Sequence, residues 1–424
     1  MRRGGSFPPF GKEQGVVYTD LVADERVFIQ FRPAQVLFPL GLGTALSLMG
    51  DATLYTVLPT HTAEAGVALS SVGIILSANR GVRVFLNGPA GLAYDRWQRR
   101  RLFIPALFLG ALSTAVYAAT RGIWPLLVGR LLWGLAWSGI WVGGATIITD
   151  VTTAQNRGRW VGLYQTWFFL GAALGAFLGG LLTDMVGYIT TMWIGATLTA
   201  LGGIVAFFLL PETRSSRQDG KARLVGKAPV SPALHSPRGL WTAASLQGIN
   251  RFVTAGVLAA TMGLLVQERL HSADPLLGVA TLTGALVAGR TLFSMAAAPL
   301  AGTASDWLGN RWRVAAVGLA IGTVSMLLVT RNAPAAILAG ISLGAVAAGS
   351  VQALVTALTG DLAGETQRGR AIGLVHTVGD LGSALGPPVA YALLPGAGLD
   401  GVYLLCAALF AVGLAVALMT SENE

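Results

Sequence analysis

Long apolar stretches alternate with short polar segments along almost the whole chain, from about residue 36 to residue 418. A helix needs about 20 consecutive apolar residues to cross the hydrocarbon core of a bilayer. By that criterion the pattern predicts twelve helices, at about 36–60, 68–93, 102–119, 123–149, 160–183, 190–210, 240–268, 277–302, 313–330, 334–359, 371–394 and 399–418. We therefore expect an all-α membrane protein with twelve transmembrane helices and the lipid bilayer as its surroundings.

The composition agrees with this pattern and excludes other classes of protein. Of the 424 residues, 53% are hydrophobic and 12% are charged, whereas a soluble domain carries about 25% charged residues. The single cysteine, Cys406, excludes an internal disulfide framework. The sequence contains no nucleophile–base–acid set, metal-ligand cluster or phosphate-binding loop, so we expect neither an enzyme nor a metal or other cofactor.

The positive charges lie mainly on one side of the predicted membrane. Of the 29 lysines and arginines, 21 fall in the N-terminal tail, the linker and alternate loops, three fall on the other side, and five lie inside predicted helices. The positive-inside rule then places both termini in the cytoplasm. This distribution accounts for the net charge of +9 without a nucleic-acid partner.

One long polar segment divides the predicted helices into two sets of six. Residues 211–239 are rich in Pro, Ser, Lys and Arg, which is typical of a linker. We expect a cytoplasmic tail at 1–35, six-helix halves at 36–210 and 240–418, and a short cytoplasmic tail at 419–424. The expected location is the cell membrane, and the expected oligomeric state is a monomer.

The two halves share a sequence repeat with a constant offset of 211 residues. Gly91 corresponds to Gly302, and Asp95 corresponds to Asp306. The offset continues over about 80 residues, including Asp150 and Asp361. Such internal repeats are typical of transporters built from two related halves.

The repeated segment is similar to the signature loop of the major facilitator superfamily. That pattern, Gly-x-x-x-Asp-Arg-x-Gly-x-Arg-Arg, is met by Gly91, Asp95, Arg96, Arg100 and Arg101, with Gln98 at the second glycine. The later copy keeps Gly302, Asp306, Gly309 and Arg311. The resemblance implies a latch that closes the cytoplasmic face and breaks as the two halves rock.

Shorter patterns resemble the drug:proton antiporters of that superfamily. In the fourth predicted helix the pattern is Leu126, Arg130 and Gly134, and in the first it begins at Asp51 and ends at Pro59. Glycines in the fifth and eleventh helices are expected to pack closely against neighbouring helices; they are Gly171, Gly175, Gly179, Gly382 and Gly386. The resemblance ties the helix-four arginine to proton coupling.

Seven arginines and aspartates fall well inside predicted helices, away from the helix ends: Asp51, Arg80, Arg83, Arg130, Arg251, Arg290 and Asp380. Charges at this depth are costly and by default functional. Asp51 lies roughly 22 Å from the cytoplasmic edge and Arg130 roughly 28 Å, within reach of one another given the uncertain helix ends. The pair is interpreted either as a proton-coupling site or as a fixed structural ion pair, with the first preferred.

His376 and Asp380 are four residues apart, so they share one face of a helix. They are candidates for a proton relay, and a structural His–Asp hydrogen bond is slightly preferred. The excess of arginines over aspartates permits two interpretations of equal weight. In one, Arg80 and Arg83 bind an anionic substrate together with the other arginines. In the other, they bond to helix carbonyls or to acids of the loop at 94–101.

These patterns predict a secondary active transporter that moves small organic molecules by alternating access. Proton-coupled efflux is the preferred function, with protons and a small molecule as the ligands. A carrier for an organic or lipid-like anion is the alternative.

Overall fold

The structure is a computed structural model that describes residues 31–153, 156–214, 237–271, 277–363 and 368–423. Most of the expected N-terminal tail and of the linker between the halves lies outside the described residues. Within the described part of the chain there are helices and no strands.

Eleven helices are long and apolar enough to span a membrane, and the last of them consists of two arms. The helices are α1 (Pro33–Val57), α2 (Leu69–Arg96), α3 (Arg99–Ala119), α4 (Ile123–Asp150), α5 (Arg157–Val186), α6 (Tyr188–Leu209), α7 (237–270), α8 (Val279–Leu308), α9 (Arg311–Val329), α10 (Pro334–Leu362), α11 (368–397) and α12 (399–423). The arms α11 and α12 meet at Gly398, whose φ of 60° and ψ of −172° are accessible mainly to glycine. The predicted all-α fold with twelve transmembrane helices is confirmed.

Several helices extend beyond the apolar stretches that predicted them. Helix α2 ends at Arg96 and α8 ends at Leu308, whereas the predicted ends were 93 and 302. The signature residues of the repeat therefore lie mainly within helices and not in a loop. Hydropathy locates the bilayer boundary, whereas polar residues continue a helix because its backbone hydrogen bonds are made within the helix.

The two ends of the helix bundle differ in charge. The end at which α2 stops and α3 begins carries Arg96, Arg99, Arg100, Arg101, Arg157 and Arg159. We call it the basic face and the other end the opposite face. The charge distribution predicts that the basic face is cytoplasmic.

The two halves touch each other toward the opposite face. Gly73 of α2 lies so close to Pro387 of α11 that a Cβ at Gly73 would collide with the Pro387 carbonyl. Gly284 of α8 meets the backbone of Ala176 in α5 in the same manner. The two contacts are equivalent in the sequence repeat. Position 73 corresponds to 284 and position 176 to 387, each pair being 211 residues apart. The two halves are therefore related by a pseudo-twofold axis at this interface.

Toward the basic face the same helices separate. No atom lies within 4 Å of the Cβ position at Gly81 and Gly88 in α2, or at Gly289 and Gly302 in α8. Most side chains between 81 and 93 are also at least partly exposed. The structure is therefore open at the basic face and closed at the opposite face, and we call the space between the separated helices the cavity. Arg80, Arg83 and Asp380 lie near its closed end, where α2 and α11 begin to separate.

Candidate functional site

Asp51 in α1 and Arg130 in α4 form an ion pair within the N-terminal half. The Arg130 side chain is completely buried, and that of Asp51 is 16% exposed. Nη2 of Arg130 also donates a weak hydrogen bond of 3.4 Å to the carbonyl of Leu76. Because a buried charge is costly without a partner, Asp51 stabilises Arg130 in this position, and Asp51 is the partly exposed member of the pair.

Tyr55 connects this ion pair to a second arginine. Its ring centroid lies 4.9 Å from the Cζ of Arg130 and 4.7 Å from the Cζ of Arg80. Its hydroxyl donates to the Leu76 carbonyl at 2.5 Å and to Asn79 Oδ1 at 3.2 Å. Sequence reasoning did not single out Tyr55, although its position one helical turn after Asp51 places it on the same face of α1.

Arg80 extends from α2 into the other half of the molecule. Its Nη1 donates to the backbone carbonyls of Ala255 in α7 and Ser383 in α11, the second at 3.1 Å. Ala255 belongs to Phe252–Leu258, a π-helical segment of α7, and such segments are frequent at functional sites. Of the two interpretations of Arg80, the geometry therefore favours bonds to helix carbonyls.

Asp380 in α11 is the meeting point of three polar side chains from both halves. Its Oδ1 accepts from Arg83 Nη2 at 2.6 Å and lies 3.6 Å from Arg251 Nη2. Its Oδ2 accepts a long hydrogen bond of 3.5 Å from Asn87 Nδ2. Because Arg83 is in α2, we call the Arg83–Asp380 ion pair the cross-half clasp.

The hydrogen bond expected between His376 and Asp380 is not formed in this structure, and the alternative of a proton relay stays a prediction. His376 is exposed, and among the described residues Asp380 bonds to Arg83 and Asn87 instead. Spacing of four residues puts two side chains on one helix face, but the stronger electrostatic partner on a neighbouring helix takes the carboxylate.

Arg290 of α8 also approaches α7. Its Nη2 donates to the carbonyl of Thr254 at 2.6 Å, beside the carbonyl that Arg80 uses. The structure thus brings all seven predicted intramembrane charges into two neighbouring groups. One group is centred on Asp51 and the other on Asp380, and Tyr55 and Arg80 lie between them.

The sequence model of the Major Facilitator Superfamily matches residues 40–280 and 240–424. The chain belongs to the major facilitator superfamily. It is accordingly a multi-pass membrane transporter and not an enzyme.

Curated relatives in this superfamily differ in what they carry. The class B tetracycline resistance protein of Escherichia coli is 28% identical over 180 residues, which are 42% of this chain and 44% of that protein. A probable 4-methylmuconolactone transporter of Cupriavidus pinatubonensis is 26% identical over 375 residues, or 84% of this chain and 83% of that protein. The chain thus matches less than half the length of the first relative and most of the second.

Solved structures of the superfamily share the fold. A bacterial homologue of the human lysosomal transporter Spinster, inward-facing and occupied, has a TM-score of 0.75 at 14% identity, covering 92% of this chain and 97% of that one. The human organic anion transporter MFSD10 has a TM-score of 0.66 at 19% identity, covering 91% and 99%. At these identities the likeness concerns the fold alone.

Among the described residues, the ion pairs of the superfamily's signature residues at the basic face stay within one half. Asp95 is exposed and forms no ion pair with another described residue. Asp306 lies 3.4 Å from Arg311 in the same half, and Arg96 and Arg101 are exposed. The described residues thus form no contact of the kind that the implied latch would need, and the latch stays a prediction.

A buried polar cluster at the basic face was not predicted. Arg99 Nε pairs with Asp150 Oδ2 at 2.9 Å, and both side chains are at least 90% buried. Glu212, just after α6, accepts from the backbone N–H groups of Arg99 and Arg100 at 3.0 Å each. A carboxylate at a helix N-terminus satisfies unpaired N–H groups and interacts favourably with the helix dipole, so Glu212 fixes the start of α3.

A second unpredicted contact closes the opposite face. Asp184 of α5 accepts from both the backbone N–H and the hydroxyl of Thr281, each at 2.6 Å, at the start of α8. The contact joins the two halves, again through a carboxylate at a helix N-terminus. Its sequence signal is weak because Asp184 lies at a predicted helix end, where a charge needs no special explanation.

The packing glycines lie at close helix contacts within each half. Positions 171, 175 and 179 of α5 face α1, and 382 and 386 of α11 face α7. At Gly171 a Cβ would collide with the backbone of Ala45, and at Gly386 with that of Gly256. Without side chains at these positions the helix backbones approach closely.

Proposed function

We propose that this transporter exports small organic molecules across the cell membrane in exchange for protons, with both termini in the cytoplasm. The observation that carries the proposal is the ion pair between Asp51, which is partly exposed, and Arg130, which is completely buried. A carboxylate can take up a proton, and protonation of Asp51 would remove the charge that pairs with Arg130. The match to the tetracycline resistance protein supports export.

The proposed coupling runs from Asp51 to the interface between the halves. A proton from the cavity neutralises the Asp51 carboxylate, which weakens its bond to Arg130. The Arg130 guanidinium then shifts against Tyr55, whose other neighbour, Arg80, bonds to the carbonyls of Ala255 and Ser383 in the second half. Protonation of one side chain thereby changes the free-energy difference between the two orientations of the halves.

The test is transport by the full chain in lipid vesicles under an imposed pH gradient, with tetracycline and 4-hydroxybenzoate as probes. The Asp51→Asn variant should lose gradient-driven flux, because it cannot take up a proton, while retaining counterflow exchange. The control is Asp361→Asn, at an exposed aspartate of the basic face, which should behave as the unmodified protein does. Gradient-driven flux that is unchanged in Asp51→Asn contradicts the coupling proposal.

A second candidate is a carrier for an organic anion. One observation favours it: Arg83 and Arg251 both approach the carboxylate of Asp380, and Arg80 and Arg290 bond to adjacent carbonyls of α7. The relatives that match this chain include a 4-hydroxybenzoate transporter of Pseudomonas aeruginosa, 26% identical over 190 residues. The two candidates are compatible if the exported molecule is itself an anion.

A further inference from the structure

Four guanidinium groups and one carboxylate lie in the same part of the bundle interior. We call this set the arginine cluster. It consists of Arg83 and Arg251, which approach Asp380, and of Arg80 and Arg290, which bond to adjacent carbonyls of α7. If all five side chains are ionised, the cluster has a net charge of +3. Such an excess in a poorly hydrated interior attracts an anion, because unpaired buried charges are costly.

Two members of the cluster have donors to spare. An arginine has five N–H donors, and the hydrogen bond described for Arg290 is the one to the Thr254 carbonyl. Arg251 lies 3.6 Å from Asp380 Oδ1, longer than an ordinary N–H···O hydrogen bond. Its side chain is 30% exposed, so a ligand in the cavity can reach it.

Arg290 bonds to the turn of α7 that begins at Arg251. Thr254, which accepts from Arg290, is three residues after Arg251, a rise of about 4.5 Å along the helix axis. Guanidinium groups bind carboxylates through two parallel hydrogen bonds, and a carboxylate has enough acceptor sites for two arginines. The remaining two arginines are engaged more fully, Arg80 by two carbonyls and Arg83 by Asp380.

We propose that the carboxylate of an organic anion binds between Arg251 and Arg290, and that Asp380 is a tethered carboxylate that competes with this substrate for Arg251. The proposal rests on the second candidate function and assigns to it a binding pair and a specificity-determining residue. When the substrate is absent, Asp380 contacts Arg251 and reduces the electrostatic repulsion among the four arginines of the cluster.

The competition links binding to the interface between the halves. The same atom, Asp380 Oδ1, contacts Arg83 of one half at 2.6 Å and Arg251 of the other at 3.6 Å. A substrate carboxylate on Arg251 leaves Oδ1 to Arg83 alone. Occupancy of the site therefore alters the cross-half clasp without any contact between the substrate and Arg83.

The test measures equilibrium binding to the purified full chain in detergent, with no pH gradient. The melting temperature is followed during titration with benzoate, 4-hydroxybenzoate and the neutral analogue benzamide, and dissociation constants are taken from its concentration dependence. The carboxylates should raise the melting temperature, and benzamide should not. Asp380→Asn should tighten carboxylate binding by about tenfold, and Arg251→Gln or Arg290→Gln should weaken it by about tenfold or more. Arg331→Gln, an exposed change at the opposite face, should have no effect.

The outcomes separate the two ideas. If the carboxylates bind but Asp380→Asn leaves their affinity unchanged or weakens it, the competition is refuted and the anion carrier stands. If no carboxylate raises the melting temperature, or if benzamide raises it equally, the anion carrier itself is wrong and the competition with it. Should Asp380→Asn not fold, the double variant Arg83→Gln/Asp380→Asn removes both members of the buried pair. Its carboxylate affinity must exceed that of Arg83→Gln alone, or the competition is refuted.

Discussion

Asp380 Oδ1 accepts a hydrogen bond of 2.6 Å from Arg83 Nη2, although the two residues are 297 positions apart and belong to different halves. The Asp380 side chain is 10% exposed and the Arg83 side chain is 14% exposed. It lies in the same interface as the contact between Gly73 and Pro387. The clasp thus stabilises the arrangement in which the cavity opens at the basic face.

Loss of the clasp should shift the transporter toward closure of the basic face. Arg83→Ala removes a hydrogen bond between charged groups, worth about 1.5–3 kcal/mol, which corresponds to a population change of about tenfold or more. The measurement is the distance between spin labels at positions 159 and 370, introduced as Arg159→Cys and Arg370→Cys after Cys406→Ala. A shorter-distance component should grow in Arg83→Ala and not in Arg331→Ala. An unchanged distance distribution would show that the clasp does not control the conformation.

A side chain at Gly284 should disrupt the interface near the opposite face. Gly284→Val places a side chain where the Ala176 backbone lies, and overpacking costs about 1–3 kcal/mol. The melting temperature should fall and the opposite face should open. Gly289→Val is the matched control, because it makes the same change in the same helix where no atom lies within 4 Å of the Cβ position. Equal effects of both substitutions on the melting temperature would contradict this view of the interface.

The sequence repeat provides a matched pair of aspartates for a test of stability. Asp150 is 9% exposed and pairs with Arg99, whereas its counterpart Asp361 is 56% exposed and pairs with Arg311 at 2.7 Å. Asp150→Ala leaves the buried Arg99 charge unpaired and should cost about 3–5 kcal/mol. Asp361→Ala should cost less than about 1 kcal/mol, because exposed ion pairs contribute little. Thermal unfolding in detergent measures both effects, and equal stability of the two variants would contradict the prediction.

The ring of Tyr55 should contribute more to gradient-driven transport than its hydroxyl does. Tyr55→Phe keeps a ring beside Arg80 and Arg130 and loses the bonds to Leu76 and Asn79. Tyr55→Leu also loses the attraction between the ring and two cations, buried Arg130 and part-buried Arg80, about 1–2 kcal/mol each. Gradient-driven flux should fall at least about tenfold in Tyr55→Leu and remain within about threefold of the unmodified rate in Tyr55→Phe. A larger loss in Tyr55→Phe than in Tyr55→Leu would assign the role to the hydroxyl.

Much of the site could be located from the sequence. The depth of Asp51 and Arg130 along their helices placed them within reach of each other, and the structure pairs them. The partner of Asp380 could not be found in this way, because spacing along α11 points to His376 whereas the stronger partner, Arg83, is in another helix. Tyr55 and Asp184 carry no sequence signal of comparable strength, since a tyrosine in an apolar helix and an aspartate at a helix end are both common.

The sequence by itself determined the twelve helices, the repeat that relates the two halves and the set of charges inside the bundle. It did so because the bilayer sets the length and apolarity of each helix separately. The tertiary structure alone decided which charges pair, that Asp380 faces two arginines, one from each half, and that the cavity opens at the basic face. Those features depend on how one six-helix half packs against the other, and a few contacts such as Arg83 with Asp380 and Asp184 with Thr281 stabilise that arrangement.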